Sequence, residues 1–140
     1  MATSSYYKFD SFVDDQNEGI HEFGANTLKV ALTPTLPVVG DEVLLDVAGT
    51  ISVANLDGVT VTTTSSTETG GTYSLICADL VMTATGTVPD FRYVVLYNDS
   101  PTTPKADPLI CWYDYGSTVS MVVDDTFTLD FNASGVFTET

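Results

Sequence analysis

Hydrophobic residues in this chain recur at every second position, in short runs cut off by turn-forming residues, and few architectures accept that pattern. The cleanest run is Thr126-Phe127-Thr128-Leu129-Asp130-Phe131, where Phe127, Leu129 and Phe131 alternate with Thr126, Thr128 and Asp130. Successive side chains of a strand point to opposite faces, so such a run buries one face and wets the other. Thr27 to Thr33 repeats the pattern, with Leu28, Val30 and Leu32 on one face and Thr27, Lys29 and Thr33 on the other. Pro34 and Pro37 end it, because proline has no N–H to give to a ladder.

The rest of the chain reads in the same way. Val59, Val61 and Thr63 alternate, and the small residues from Ser65 to Gly71 predict a turn. Tyr73 to Ala84 is a long apolar run interrupted by Asp79. Phe91 to Tyr97 is apolar at nearly every position, which predicts a central strand buried on both faces. Leu109 to Tyr115 predicts a strand closed by Gly116. Thr118 to Val122 and Thr126 to Phe131 predict a hairpin around Asp124-Asp125, and Val136 to Thr138 a last short strand. Gly40 to Asn55 reads as a strand or an irregular extended segment. One stretch leaves the period of two: between Lys8 and Glu18, Phe9, Phe12 and Val13 follow i, i+3, i+4 spacing, a short helix with Gly19 as its stop. Roughly seven to nine short strands with frequent turns predict an all-β fold: an antiparallel β-sandwich or jelly-roll-like single domain with a short N-terminal helix. Residues 1–25 form an arm and helix, and residues 26–140 the sandwich, as one globular domain.

Charge narrows the function. Nineteen acidic residues face four basic ones, a net charge of −15. Nucleic-acid binding needs clustered Lys and Arg for phosphate contacts, and an anionic membrane repels such a chain for the same reason. Free copies repel one another and are steered to basic surfaces. No run approaches the length of a membrane helix, and Met1 to Tyr7 lacks the basic and apolar blocks of a signal peptide, so synthesis in a cytosol is expected.

The residues that carry chemistry are sparse. His21 is the single histidine, and Glu22 beside it in sequence does not make a triad. One His and two distant Cys fall short of a zinc site. Cys77 and Cys111 lie in apolar runs and read as buried thiols, with a disulfide open if their strands lie side by side. Asp14-Asp15 and Asp124-Asp125 read as solvated faces or turns, or as ligands of a cation shared between subunits; neither lies in an EF-hand-like loop. Trp112, Tyr113 and Tyr115 are core residues or a sugar platform, and alternation puts Tyr113 and Tyr115 on one face and Trp112 on the other. No catalytic residue, metal ligand or cofactor is expected, and the chain reads as a non-enzyme. The aromatic terminus Tyr6, Tyr7 and Phe9, with Phe12 and Val13, is the candidate contact to a partner or another copy; docking on its own sheet is the alternative.

The order of the segments resembles a family of small virion structural proteins of tailed bacteriophages. The resemblance rests on Asn26 to Thr33 followed by a Pro-containing loop, Gly71-Thr72-Tyr73-Ser74-Leu75, Phe91 to Asp99, Pro108 to Gly116 and Thr126 to Phe131, and it runs from Tyr7 to Thr138. The chain departs from the family between Val38 and Asp57, which is shorter and poorer in glycine. The resemblance implies a virion component, most often a capsid decoration or cement protein made in the host cytoplasm. Its expected partners are the major capsid protein on the outer head surface and its own copies, with a trimer favoured. A tail, baseplate or fibre component recognising glycans is the alternative.

Overall fold

The computed structural model describes residues 5–131 and 135–139. Their order is β1 (Ser5–Lys8), α1 (Asp10–Asn17), β2 (Leu28–Thr33), a 3-10 turn (Leu44–Asp46), β3 (Leu56–Asp57), β4 (Thr60–Val61), β5 (Thr63–Thr69), β6 (Thr72–Cys77), β7 (Leu80–Ala84), β8 (Val88–Asn98), β9 (Leu109–Met121), β10 (Thr126–Leu129) and β11 (Phe137–Glu139). Strands hold 48% of the described residues and helix 9%, in antiparallel sheets, so the fold is all-β and sandwich-like as the periodicity predicts. Three sheets form, ordered β1-β9-β8-β2-β4, β10-β7-β3 and β11-β6-β5.

The five-stranded sheet has two apolar faces. From one, Leu28, Val30, Leu32, Phe91, Val94 and Leu96 enter the main core, where they meet β6, β7 and β10 through Leu75, Met82, Phe127 and Leu129. From the other, Ala31, Tyr93, Val95 and Trp112 form a second core with Phe9, Val47 and Leu109. The continuous apolar run of β8 is thereby explained: β8 lies between β9 and β2 and is covered on both sides. β2 departs from its expected half-wet reading, because Ala31 and Thr33 are buried as well. The segment after β2 folds back over them. The Thr33 hydroxyl donates to the Ala48 carbonyl at 2.8 Å, and Ile51 N–H donates to the Leu32 carbonyl at 2.9 Å.

Other differences have local causes. Ser65 to Thr69 is strand and not turn; it pairs with β6, and only Gly70 and Gly71 turn the chain, with φ of +61° and +86°. Ser and Thr suit a half-exposed outer strand as well as a loop. Gly116 does not end its strand. β9 runs through it with φ +94°, and the pairing with β8 shifts between Phe91↔Val119 and Tyr93↔Asp114, so the glycine marks a bulge. The chain does turn at Asp124-Asp125, but no hairpin follows. β10 pairs with β7, Thr126 opposite Thr83, because Asp124 N–H donates to the Ala84 carbonyl and Ala84 N–H to the Asp125 carbonyl, both at 2.8 Å. Tyr73 to Ala84 divides at Ala78-Asp79 into two strands of different sheets.

The helix is shorter than its periodicity suggests. Lys8 belongs to β1, and Phe9 is the extended residue ahead of α1. β1 pairs antiparallel with β9, Ser5 opposite Asp114 and Lys8 opposite Cys111. Phe12 enters the main core and Phe9 the second one, so the arm pins itself to both faces of the sheet it borders.

Candidate functional site

Three of the buried polar residues, Asp15, His21 and Asn98, gather where α1 ends. Asn98, the last residue of β8, is fully buried; its amide donates to Asn26 Oδ1 at 2.7 Å and lies 3.1 Å from His21 Nδ1. Nδ1 therefore accepts, which assigns the ring proton to Nε2. The His21 ring stacks on Phe23 at 5.0 Å and tilts against Phe12 at 5.4 Å. Burial lowers its pKa to about 4; Asp15 opposes the shift and Lys105 adds to it. The ring is neutral at pH 7 and has no hydroxyl or thiol beside it to activate among its hydrogen-bond partners.

Asp15 corrects the expectation of a solvated acidic pair: Asp14 is exposed, whereas Asp15 is fully buried. Lys105 Nζ donates to Asp15 Oδ1 at 2.8 Å and to Glu42 Oε1 at 3.1 Å. Its ammonium is held above the usual lysine range, chiefly by the hydrogen bond to Asp15. One cation thus clamps α1, the segment after β2 and the β8–β9 loop together. This arrangement fastens the three segments to one another.

The five residues of the aromatic arm separate. Phe9 and Phe12 are buried in the chain's own cores, while Tyr6, Tyr7 and Val13 remain on the surface. Tyr7 stacks on Trp112 with ring centroids 5.3 Å apart, Phe9 meets the same indole at 4.8 Å, and Tyr6 packs edge-on against Tyr113 at 5.9 Å. The arm presents two features outward: the edge of β1, which is the outer strand of its sheet, and Val13 on α1.

Trp112 and Tyr113 lie in the second and main cores, so the aromatic trio does not assemble as a platform. Tyr115 alone is exposed. It tilts against Phe127 at 5.3 Å and, with Ser120, Asp124, Asp125 and Thr128, lines an open groove of about 570 Å³. Cys77 and Cys111 are free and buried in the main core, and burial pushes both thiols up. Among the described residues, no three His, Cys, Asp or Glu side chains are grouped to hold a metal ion.

The surface feature that sequence reasoning missed is a ledge formed by residues 34–47. Leu36, Val38, Val39 and Leu45 are exposed there by 60%, 62%, 47% and 95%. The ledge is tied down on both sides. Asp10 N–H donates to the Val39 carbonyl at 3.0 Å, Leu44 N–H donates to the Asp107 carbonyl at 3.0 Å, and Asp46 Oδ2 accepts from Glu42 and Val43 N–H, both at 3.1 Å. The one available signal was Val38-Val39 next to Pro37 and Gly40, an apolar pair placed where no ladder can form.

The charge around the ledge is mostly acidic, and Lys105, the cation beside it, is paired with Glu42. Lys29 pairs with Asp99, Arg92 with Asp114, and Lys105 with Asp15 and Glu42, so Lys8 is the one basic side chain in no ion pair among the described residues. No family model matches the chain, no curated protein matches it, and no solved structure matches it.

Proposed function

We propose that the chain is a structural protein of a tailed-bacteriophage virion, a decoration subunit that binds the major capsid protein on the outer surface of the head. The observation that carries this reading is the pairing of uncompensated acidity with bare aliphatic side chains on a tied-down ledge, while the buried polar residues serve to fasten segments. Such a surface suits contact with another protein. A subunit that prefers the mature shell stabilises it by mass action, and many copies add avidity. Copies meet as a small oligomer, a trimer, through the β1 edge and the helix beside it: Tyr6 and Tyr7 on β1 and Val13 on α1 make the contact, Phe9 and Phe12 hold them in place, and Lys8 offers a cation to an acidic neighbour. The protein is made in the host cytoplasm and ends in the virion. Quantitative mass spectrometry of purified particles tests this. A copy number comparable with that of the major capsid protein, with gold label over the head, is expected; a few copies at the tail would overturn the head assignment.

The Tyr115 groove favours a second reading, a tail, baseplate or fibre component that recognises glycans. An exposed aromatic ring beside carboxylates and hydroxyls suits a sugar. Glycan-array binding that Tyr115→Ala abolishes is the result this reading requires.

A further inference from the structure

We infer that the ledge of residues 34–47 docks onto a cationic surface of a different protein, with Leu36, Val38, Val39 and Leu45 entering apolar depressions and the acidic side chains around them facing Lys and Arg. This deepens the preceding reading and rests on it, because it assigns the face that meets the shell.

Three observations carry it. The first is geometry. Leu45 is 95% exposed on a 3-10 turn whose neighbour Leu44 packs on the second core, so an aliphatic side chain is held out by an anchored backbone. Val38 and Val39 are presented in the same way, by hydrogen bonds to Asp41 and Asp10. A contact surface ordered in advance loses less entropy on binding.

The second is the charge of the rim. Asp41 and Asp46 lie in the ledge beside Glu42, which Lys105 engages, and Asp10 and Asp14 share the helix face that begins at the Asp10–Val39 hydrogen bond. Residues 34–47 contain no Lys, Arg or His. The nearest clamped cation, Lys105, is already neutralised by Asp15 and Glu42.

The third excludes other occupants. A second copy has no basic surface to match this rim, since three of its four cations are ion-paired internally and the fourth, Lys8, lies on β1. Anionic headgroups and phosphate backbones repel it. What remains is a protein surface with apolar hollows ringed by basic side chains.

Two synthetic peptides of equal positive charge test this on the full-length chain labelled with ¹⁵N: an amphipathic Leu/Lys helix and a Gly/Lys coil. The Leu/Lys peptide is expected to shift the amides of residues 35–47 and 9–14 and to saturate. Its binding should weaken about tenfold in the Leu36→Ser/Val38→Ser double variant. Val81→Ser, which alters an exposed valine of β7, should bind as the parent does. The Gly/Lys coil should give only weak, diffuse shifts. Leu/Lys shifts spread over the whole acidic surface, or unaffected by the double substitution, would overturn the inference. So would concentration-dependent self-association that the double substitution abolishes, which would make a second copy the occupant. The titration judges the ledge, whereas the particle census judges the virion reading, so the two fail separately.

Discussion

The Lys105 ammonium donates to the Asp15 carboxylate across 2.8 Å, and Asp15 is fully buried while Lys105 keeps some exposure. Removing one partner of such a pair leaves a buried charge without compensation, which costs far more than the intact pair contributes. Lys105→Met is therefore expected to destabilise the fold by about 3 kcal/mol. Adding Asp15→Asn should recover part of the loss, because the stranded charge is gone. Urea unfolding of the parent, the single and the double variant measures both effects; a double variant no better than the single one would refute the account.

His21 sets a pH dependence. Its folded pKa, about 4, lies below the usual 6.5 because burial disfavours the charged ring. The unfolded chain therefore takes up the proton first. This contribution to stability is fully present above pH 6.5 and is lost as the pH falls towards 4, by roughly 3 kcal/mol in all. Comparing urea midpoints at pH 7 and pH 4.5 checks the sign. His21→Gln should lose less stability on acidification than the parent, and equal losses would remove His21 as the cause.

Glycine at position 58 is required by space as well as by backbone. Its φ is +91°, and a Cβ there would press into the Val81 carbonyl oxygen of β7. Gly58→Ala is expected to cost about 2–3 kcal/mol, against about 1 kcal/mol for Gly70→Ala, where φ is also positive. Nothing lies within 4 Å of a Cβ at Gly70. Thermal melts of the two variants give the comparison.

Trp112 reports on the arm. It is the single tryptophan, and Tyr7 and Phe9 pack on its ring. Tyr7→Ala should shift its emission to the red by admitting water, and Tyr7→Phe should not. Unchanged emission in Tyr7→Ala would mean that the arm leaves the indole uncovered.

Buried thiols should be silent in the folded protein. Cys77 and Cys111 are free, buried and raised above the ordinary thiol range. A thiol-reactive dye is expected to label neither in native buffer and both in denaturant. Native labelling of either would place it outside the core.

Some of this was legible in the sequence, and the boundary is physical. The run from Phe91 to Tyr97 declared a doubly covered strand, since each side chain records its own burial. Pairing is a different matter. β10 shows where its apolar face lies but carries no mark that β7, not the end of β9, is its partner. The polar cluster was equally hidden: His21 and Asn98 meet across 77 positions of chain, and Asp15 meets Lys105 across 90. The aromatic arm was half legible. Its spacing placed Phe9 and Phe12 on a packing face, but that this face would close on the chain's own cores depended on β1 finding β9.

The segment over the second core joins the sheets by one isolated bridge, Val43 to Pro108, and otherwise by turn hydrogen bonds and a few inserted side chains. No ladder register runs through it. Its length and outward residues are therefore free to vary while Ala31, Val95 and Trp112 keep their neighbours. The molecule separates outward surface from architecture: the exposed side chains of this loop can be rewritten with the sandwich beneath left unchanged.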